Sequence, residues 1–204
     1  MTMGKKFTDS CLKKNMQDGI EDIDSFGNSS KTKSYLRKLF YVNPIVRQFR
    51  GYVLDIGCGI GAYLEEYPGR SLGIDAHENN VKRCQEKKIN AIKADANSFV
   101  QENAFDTVLL SHLLEHLTEP SRVLENAYLS TTRGGLIIIV VPCLTGFMYG
   151  FNDLLGHKQF ITEEYVDHYI LRKFGCKKLK SYMFPCISLP FFDRYRELRI
   201  IYQK

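Results

Sequence analysis

Short apolar runs alternate with segments of helical periodicity along most of this chain. Runs of about four to eight apolar residues are typical of buried strands, whereas apolar residues three and four positions apart indicate amphipathic helices. The runs predict strands at residues 52–56, 71–74, 89–93, 105–110, 136–141, 177–184 and 197–202. The periodic segments predict helices at residues 31–42, 44–49, from about 61, 77–87, 97–102, 120–130 and 162–174. Seven strands alternating with helices predict an α/β fold, a three-layer αβα sandwich around a mostly parallel sheet.

The beginning of the chain differs from the rest in polarity and charge. Residues 1–30 are polar and contain turn signals, so we expect a polar arm followed by a single domain over residues 31–204, with residues 31–49 as a helical cap. Residues 1–50 hold 10 Lys and Arg against 5 Asp and Glu, which accounts for the whole net charge of +5. This basic segment could contact an anionic substrate or nucleic acid. The simpler interpretation is a solvated arm.

The composition excludes several classes of protein. A hydrophobic content of 44% and a charged content of 25% are ordinary for a soluble globular domain. No apolar run approaches the roughly 20 residues of a membrane span, and the polar first residues do not resemble a signal peptide. The six cysteines show no Cys-x-x-Cys spacing, so they are interpreted as reduced thiols of a cytoplasmic protein.

Three glycines alternate directly after the first predicted strand. Gly57, Gly59 and Gly61 can turn the backbone sharply and let it approach a ligand closely. A strand, a glycine turn and a helix start together form a nucleotide-binding corner. Asp55 interrupts the apolar strand, and a buried carboxylate is costly without a partner, so it could orient the loop and attract a cationic ligand. The turn also satisfies the dinucleotide-binding pattern, with Asp75 at a suitable distance for a ribose hydroxyl, so it leaves both kinds of cofactor open.

Five motifs in order separate these alternatives. They cover residues 53–61, 73–75, 94–96, 105–117 and 134–142. Together they resemble the class I S-adenosylmethionine-dependent methyltransferases over about residues 50–175. The resemblance implies a seven-stranded sheet in the order 3-2-1-4-5-7-6 with strand 7 antiparallel. It also implies S-adenosylmethionine as the cofactor and S-adenosylhomocysteine as the product.

The resemblance also implies which residues bind the cofactor, at the carboxyl ends of the parallel strands. Residues 57–61 would line the methionine portion, Asp75 would bind the ribose hydroxyls, and Asp95 and Ala96 would contact the adenine. Residues 111–113 would close the site near the sulfonium. The complete predicted set is Asp55, Gly57, Cys58, Gly59, Gly61, Asp75, Ala76, Asp95, Ala96, Ser111, His112 and Leu113. The alternative for Asp75 and Asp95 is an N-cap of the helix that follows each strand.

Histidines near the strand ends are candidates for removing a proton from the acceptor. A hydroxyl acceptor needs a base or a metal, and histidine titrates near neutral pH. His157 is the predicted base, and His116 is the second catalytic candidate. His112, Glu115 and His116 also resemble the Glu-x-x-Glu-His metal site of ubiquinone-pathway O-methyltransferases and small-RNA 2′-O-methyltransferases, with His112 replacing the first Glu and His157 as a further ligand. Because Glu-His-Leu after strand 4 is common in the wider family without a metal, we predict no metal site.

The sequence says least about the acceptor of the methyl group. Apolar residues within 142–161, and others between strands 6 and 7, could line an apolar acceptor pocket. The Asn/Asp-Pro-Pro-Tyr motif of nucleic-acid amine methyltransferases is absent after strand 4, where residues 111–114 read Ser-His-Leu-Leu. We therefore expect O-methylation of a small-molecule hydroxyl by a monomer or dimer. The alternatives are an RNA or protein methyltransferase that uses the basic N-terminal segment, and an S-adenosylmethionine-binding protein without turnover.

Overall fold

The computed structural model describes residues 35–142, 158–184 and 196–204. They form one seven-stranded sheet in the order β3-β2-β1-β4-β5-β7-β6. The strands are β1 (Val53–Ile56), β2 (Ser71–Asp75), β3 (Ala91–Lys93), β4 (Phe105–Ser111), β5 (Thr131–Pro142), β6 (Lys177–Phe184) and β7 (Glu197–Gln203). Strands β1 to β5 run parallel to one another, and β7 runs antiparallel to both β5 and β6. The predicted fold class, the strand order and the antiparallel seventh strand are confirmed.

Helices and short helical turns connect the strands. Helix α1 covers residues 35–46, α2 is Glu78–Glu86, α3 is Pro120–Ser130, and α4 is Glu163–Asp167 continued by a π-helical turn, His168–Lys173. Two 3₁₀ turns, Leu64–Glu66 and Leu114–His116, follow β1 and β4. Within the described ranges, no helix combines the length and the hydrophobicity needed to cross a bilayer.

Buried apolar residues lie on both faces of the sheet. In β1, Leu54 and Ile56 belong to one core cluster and Val53 belongs to the other. All four residues of β1 are buried, as expected for a central parallel strand that is covered on both faces. Because side chains alternate along a strand, Asp55 shares the face of Val53, and its carboxylate is buried there.

The connection between β1 and β2 differs from its prediction. The sequence predicted a helix from about residue 61, but only the 3₁₀ turn Leu64–Glu66 forms. Pro68 and Gly69 stop a helix soon after this turn, and β2 already begins at residue 71. The short connection leaves a cleft of about 470 Å³ at the amino ends of β2 and β3.

Two further helix predictions are wrong. Residues 97–102 form no helix, because the Asp95 carboxylate accepts the backbone N–H of Asn97 and holds a tight turn there. The predicted break at Asn43–Pro44 is absent, and α1 continues through it. A π-helical turn precedes Pro44, and in it the N–H of Asn43 donates to the carbonyl of Lys38. This wider turn lets the helix continue past the proline.

The fifth strand is longer than predicted. It begins at Thr131, directly after α3, instead of at residue 136. Gly134 has a φ of 76°, and the register between β4 and β5 shifts at this point. The glycines therefore form an irregularity within the strand instead of a separate turn. The predicted arm at residues 1–30 lies outside the described residues, so the domain boundary stays a prediction.

Candidate cofactor and active site

The glycine loop after β1 has the backbone conformation that only glycine adopts readily. Gly57, Gly59 and Gly61 have φ values of 75°, 53° and 78°. A Cβ on Gly57 would lie 2.9 Å from the Cδ1 atom of Leu113, so a side chain there would collide with the turn after β4. A Cβ on Gly59 would meet nothing within 4 Å. The loop therefore packs closely at its first glycine and faces open space at its second.

Asp75, at the end of β2, holds this loop in place. Its Oδ2 atom accepts the backbone N–H of Gly59 at 3.0 Å, and its Oδ1 atom accepts the backbone N–H of His77 at 2.8 Å. The Asn80 side chain donates a further hydrogen bond to Oδ1 at 3.2 Å. Asp75 thus orients the loop through a direct hydrogen bond, and the loop-orienting role of Asp55 stays a prediction. Ala76 follows at an exposed position.

Asp55 lies behind the loop without a comparable set of partners. It is 1% exposed, and its buried Oδ2 atom has no hydrogen-bond partner. Burial, and secondarily the charge of Asp75, raises the pKa of Asp55 to about 7. A cation arriving near this carboxylate would favour its ionised form, so the residue fits a cofactor that carries positive charge. The neighbouring Cys58 thiol is buried, and burial raises its pKa.

Asp95 and Ala96 lie in the turn after β3. The Asp95 carboxylate accepts both the backbone N–H and the side-chain amide of Asn97 at 2.9 Å, and these hydrogen bonds lower the pKa of Asp95. The carbonyl of Ala96 accepts a hydrogen bond from the Asn126 side chain at 2.8 Å, which ties the turn to α3. The turn presents an ionised carboxylate at the carboxyl edge of the sheet, where the adenine contact is predicted.

The end of β4 carries the third part of the predicted set. The Ser111 hydroxyl lies 2.9 Å from the Tyr63 hydroxyl, and burial holds the pKa of Tyr63 above its usual range, so this tyrosine stays a neutral hydroxyl. His112 has a φ of 50°, an uncommon conformation for a residue other than glycine. Leu113 contributes the side chain that limits the space at Gly57. These three residues lie at the same edge of the sheet as the glycine loop.

His112 is placed between two carboxylates. Its Nε2 atom lies 3.0 Å from Glu197 Oε1 and its Nδ1 atom lies 3.5 Å from Glu115 Oε1. Burial alone would lower its pKa, but the neighbouring carboxylates of Glu115 and Glu197 outweigh it and raise the pKa of His112 to about 10. His112 is therefore an imidazolium at neutral pH, although 42% of its side chain is exposed.

Arg199 extends this network into the core. Its Nη2 and Nε atoms donate to Glu197 Oε2 at 2.7 and 2.9 Å, and its guanidinium lies 4.2 Å from the ring centre of Phe184. The Nη2 atom also donates to the carbonyl of Tyr41 at 3.3 Å. Burial alone would raise the pKa of Glu197, but the two cations hold it below its usual range. The network thus joins the end of β4 to β7 and α1.

Comparisons with known proteins agree with this geometry. Residues 54–139 match the family model described as a methyltransferase domain. The central part of the chain is therefore a methyltransferase domain. No curated protein matches the sequence. The predicted family is confirmed, as is S-adenosylmethionine as the cofactor at the level of the domain. The ubiquinone-pathway-like branch stays a prediction.

Solved structures share the fold over most of this chain. A SAM-dependent methyltransferase from Archaeoglobus fulgidus is 24% identical with a TM-score of 0.67, over 89% of this chain and 97% of that one. One from Mesorhizobium loti is 16% identical with a TM-score of 0.65, over 79% and 96%. The N-methyltransferase NodS from Bradyrhizobium japonicum, in complex with S-adenosylhomocysteine, is 16% identical with a TM-score of 0.64, over 86% and 89%. At these identities the likeness concerns the fold alone.

The structure describes one of the two predicted catalytic histidines, His116. His116 ends the 3₁₀ turn after β4 and lines a cavity of about 250 Å³ together with Asn97 and Arg122. His157 lies outside the described residues, but the backbone N–H of its neighbour Lys158 donates to the carbonyl of Glu115 at 2.8 Å. The roles of both histidines stay predictions.

No metal-binding arrangement is evident in the described part of the methyltransferase. Among the described residues, no three or more His, Cys, Asp or Glu side chains lie together in a way that could hold a metal ion. The two ring nitrogens of His112 each face a different carboxylate, whereas a shared metal would require ligand atoms that converge on one point.

Sequence reasoning missed the buried ion pair at the start of β7. Glu197 and Arg199 are 7% and 1% exposed and alternate in a strand that is otherwise largely apolar. Charged residues at alternate positions of a central strand face the same side and must find partners there. The alternation of Glu197 and Arg199 in the sequence could have indicated a buried ion pair. It could not have identified His112 as a partner of Glu197, because His112 lies 85 positions away along the chain.

Proposed function

We propose that the protein transfers the methyl group of S-adenosylmethionine to a hydroxyl group of a small molecule. The observation that carries the proposal is the buried Asp55 carboxylate, whose Oδ2 atom has no hydrogen-bond partner, beside a loop of three glycines with positive φ. An unpaired buried carboxylate is costly in the free protein. A cationic cofactor would supply the missing partner.

The described residues suggest how this cofactor would be held. Residues 57–61 would accommodate the methionine portion, and Asp75 would bind the ribose hydroxyls while it keeps its hydrogen bond to Gly59. Asp95 and Ala96 would contact the adenine. When bound, S-adenosylmethionine supplies an activated methyl group, so positioning of the acceptor does most of the catalytic work.

His112 is unsuited to act as the base for a hydroxyl acceptor. A general base must be unprotonated, whereas the pKa of His112 is raised to about 10 and both of its ring nitrogens face carboxylates. We therefore assign proton removal to His157. The contact between the backbone N–H of Lys158 and the carbonyl of Glu115 supports this assignment, because it brings the chain next to His157 beside the turn after β4. His116 is the second candidate.

The neutral Tyr63 and Ser111 hydroxyls supply the remaining support for an oxygen acceptor. They form a hydrogen-bonded pair at the edge of the sheet that carries the glycine loop. Neutral hydroxyls can donate hydrogen bonds to an acceptor oxygen and accept one from its proton. A positively charged acceptor would gain little from them.

An acceptor screen that measures formation of S-adenosylhomocysteine tests the proposal. We expect turnover with hydroxyl-bearing small molecules, and we expect His157→Ala to lower turnover at least about 100-fold while leaving cofactor affinity unchanged. His168→Ala, a histidine in the π-helical turn after α4, is the matched control and should retain full activity. Full activity of His157→Ala would remove that residue as the base. Cofactor binding without turnover across the screen would favour a binding protein instead.

A further inference from the structure

Helix α1 exposes a cluster of large apolar side chains. Tyr35, Leu36, Leu39 and Phe40 are 64, 45, 37 and 50% exposed. They account for four of the nine exposed large apolar side chains in the described ranges, so they form a patch and are not scattered singly. Their spacing places them on one side of the helix, while Val42 turns into the core.

The charged residues of this helix and of the turn after it are all basic. Residues 35–50 contain four basic residues and no Asp or Glu. All four, Arg37, Lys38, Arg47 and Arg50, are exposed. Lys38 pairs with Glu66 at 2.5 Å, which connects the helix to the rest of the domain and compensates one of the four charges. The surface therefore combines an apolar face with an anion-attracting rim.

The combination identifies the kind of partner. Nucleic acid attracts basic side chains, but its bases accept single stacked or inserted apolar side chains, not a continuous apolar face of four side chains on a helix. An anionic phospholipid surface accepts both groups at once, because apolar side chains enter the acyl boundary while Lys and Arg remain among the headgroups. Charge complementarity therefore favours a lipid surface.

Helix α1 is also connected directly to the candidate active site. The carbonyl of Tyr41 accepts a hydrogen bond from Arg199, which is paired with Glu197, which in turn lies 3.0 Å from His112. The ring of Tyr41 meets the ring of Phe184 edge-on at 5.1 Å. The helix thus lies on the side of the sheet where β4 ends and β7 begins.

We propose that α1 docks the protein onto an anionic phospholipid surface, with Tyr35, Leu36, Leu39 and Phe40 inserted at the acyl boundary. Arg37 and Arg47, towards the two ends of the helix, contact the lipid headgroups. The docking surface stands independently of the proposed methyl transfer. Docked in this way, the carboxyl edge of the sheet would lie close to the membrane, where acceptors carried by the bilayer could reach it.

Co-sedimentation of the full chain with vesicles tests the docking surface. We expect binding to vesicles of phosphatidylcholine with phosphatidylglycerol, weaker binding at high salt, and little binding to phosphatidylcholine alone. The triple variant Leu36→Ser, Leu39→Ser and Phe40→Ser should lose at least about tenfold in affinity, because each removed side chain contributes apolar burial. The matched control is Ile92→Ser, which removes a 40% exposed side chain from the edge strand β3 and should bind normally.

Two further measurements keep the test decisive. The triple variant should stay folded and keep the cofactor affinity of the wild type, with only a modest drop in melting temperature, because the removed side chains are 37–50% exposed. Arg37→Gln with Arg47→Gln removes only exposed charges and should lower binding to the anionic vesicles without a change in fold. Equal binding of wild-type and triple-variant protein, or no preference for anionic vesicles, would overturn the proposal. The proposal would also be overturned if the wild type formed a dimer and bound no vesicles while the triple variant was a monomer. In that case the apolar face of α1 would bind a second copy of the chain.

Discussion

The substitution Asp55→Asn should stabilise the free protein and weaken cofactor binding at the same time. It keeps the shape of a side chain that is 1% exposed but removes its charge. The pKa of Asp55 is raised from 3.8 to about 7 by burial and by Asp75. Since one pKa unit corresponds to about 1.4 kcal/mol, the ionised carboxylate costs the fold up to about 4 kcal/mol above pH 7.

The sign of the pH dependence follows from the direction of this shift. Between pH 3.8 and about 7 the folded protein binds the Asp55 proton more tightly than the unfolded chain, so its stability falls as the pH rises through this window. The Asn variant lacks this loss. We expect urea unfolding to show similar stabilities near pH 4 and a more stable variant at pH 8, by up to about 4 kcal/mol.

Calorimetry with S-adenosylmethionine provides the second half of the test. A cation near Asp55 favours the carboxylate, so wild-type affinity should rise with pH through about 7, and the Asn variant should bind more weakly and without this pH dependence. A variant that is no more stable at pH 8 would contradict the assignment of an unpaired charge. Unchanged cofactor affinity would contradict its role in the site.

Three other substitutions probe the carboxyl edge of the sheet. Asp75→Asn should weaken cofactor binding about tenfold or more by calorimetry, because a carboxylate accepts more hydrogen bonds than an amide does, and unchanged affinity would refute the ribose assignment. Arg199→Met should cost about 3 kcal/mol in urea unfolding, because it leaves Glu197 buried with His112 alone, and Arg199→Lys should recover part of the loss. His112→Gln should flatten the decline in melting temperature at alkaline pH. Because the pKa of His112 is raised, its imidazolium contributes its full stabilisation below about pH 6.5, and this contribution is lost as the pH rises through about 10. An equal decline in the melting temperature of the wild type and the variant would contradict a charged His112.

The sheet was predictable because its signals are local. Each central strand is a continuous apolar run, and such runs indicate a parallel strand that is covered on both faces. The residues 52–56, 105–110 and 136–141 were therefore placed close to the observed β1, β4 and β5. The order of the strands came from the family resemblance, not from the apolar pattern.

The helix errors also have local physical causes. After the glycine loop, Pro68 and Gly69 lie too close to β2 for an α-helix to form, although the apolar pattern favoured one. At Asn43–Pro44 the opposite occurred, since tertiary contacts of Val42 and Ile45 with the core keep the backbone helical across a residue that normally ends a helix. Patterns alone do not weigh these competing effects.

The ion-pair network could not be predicted from local sequence. His112 was expected to contact the cofactor, yet its nearest charged groups are Glu115 and Glu197. The pairing of His112 with Glu197 depends on β7 lying beside β5, which places the start of β7 next to the end of β4. A long-range pair of this kind follows from topology, so it becomes predictable only once the strand order is known.

The contrast between two buried carboxylates indicates where the cofactor belongs. Glu197 is 7% exposed, and His112 and Arg199 hold its pKa below its usual range, so its charge is compensated within the fold. Asp55 is 1% exposed, lacks a partner on Oδ2, and has a pKa raised to about 7. Glu115 is also buried and has no hydrogen-bond partner on either oxygen, but the His112 ring lies 3.5 Å from its Oε1 atom. Among the described residues no cation pairs with Asp55, so the cost of its burial requires another reason. A cation supplied from outside gives that reason, and the open space at the glycine loop is where it can enter.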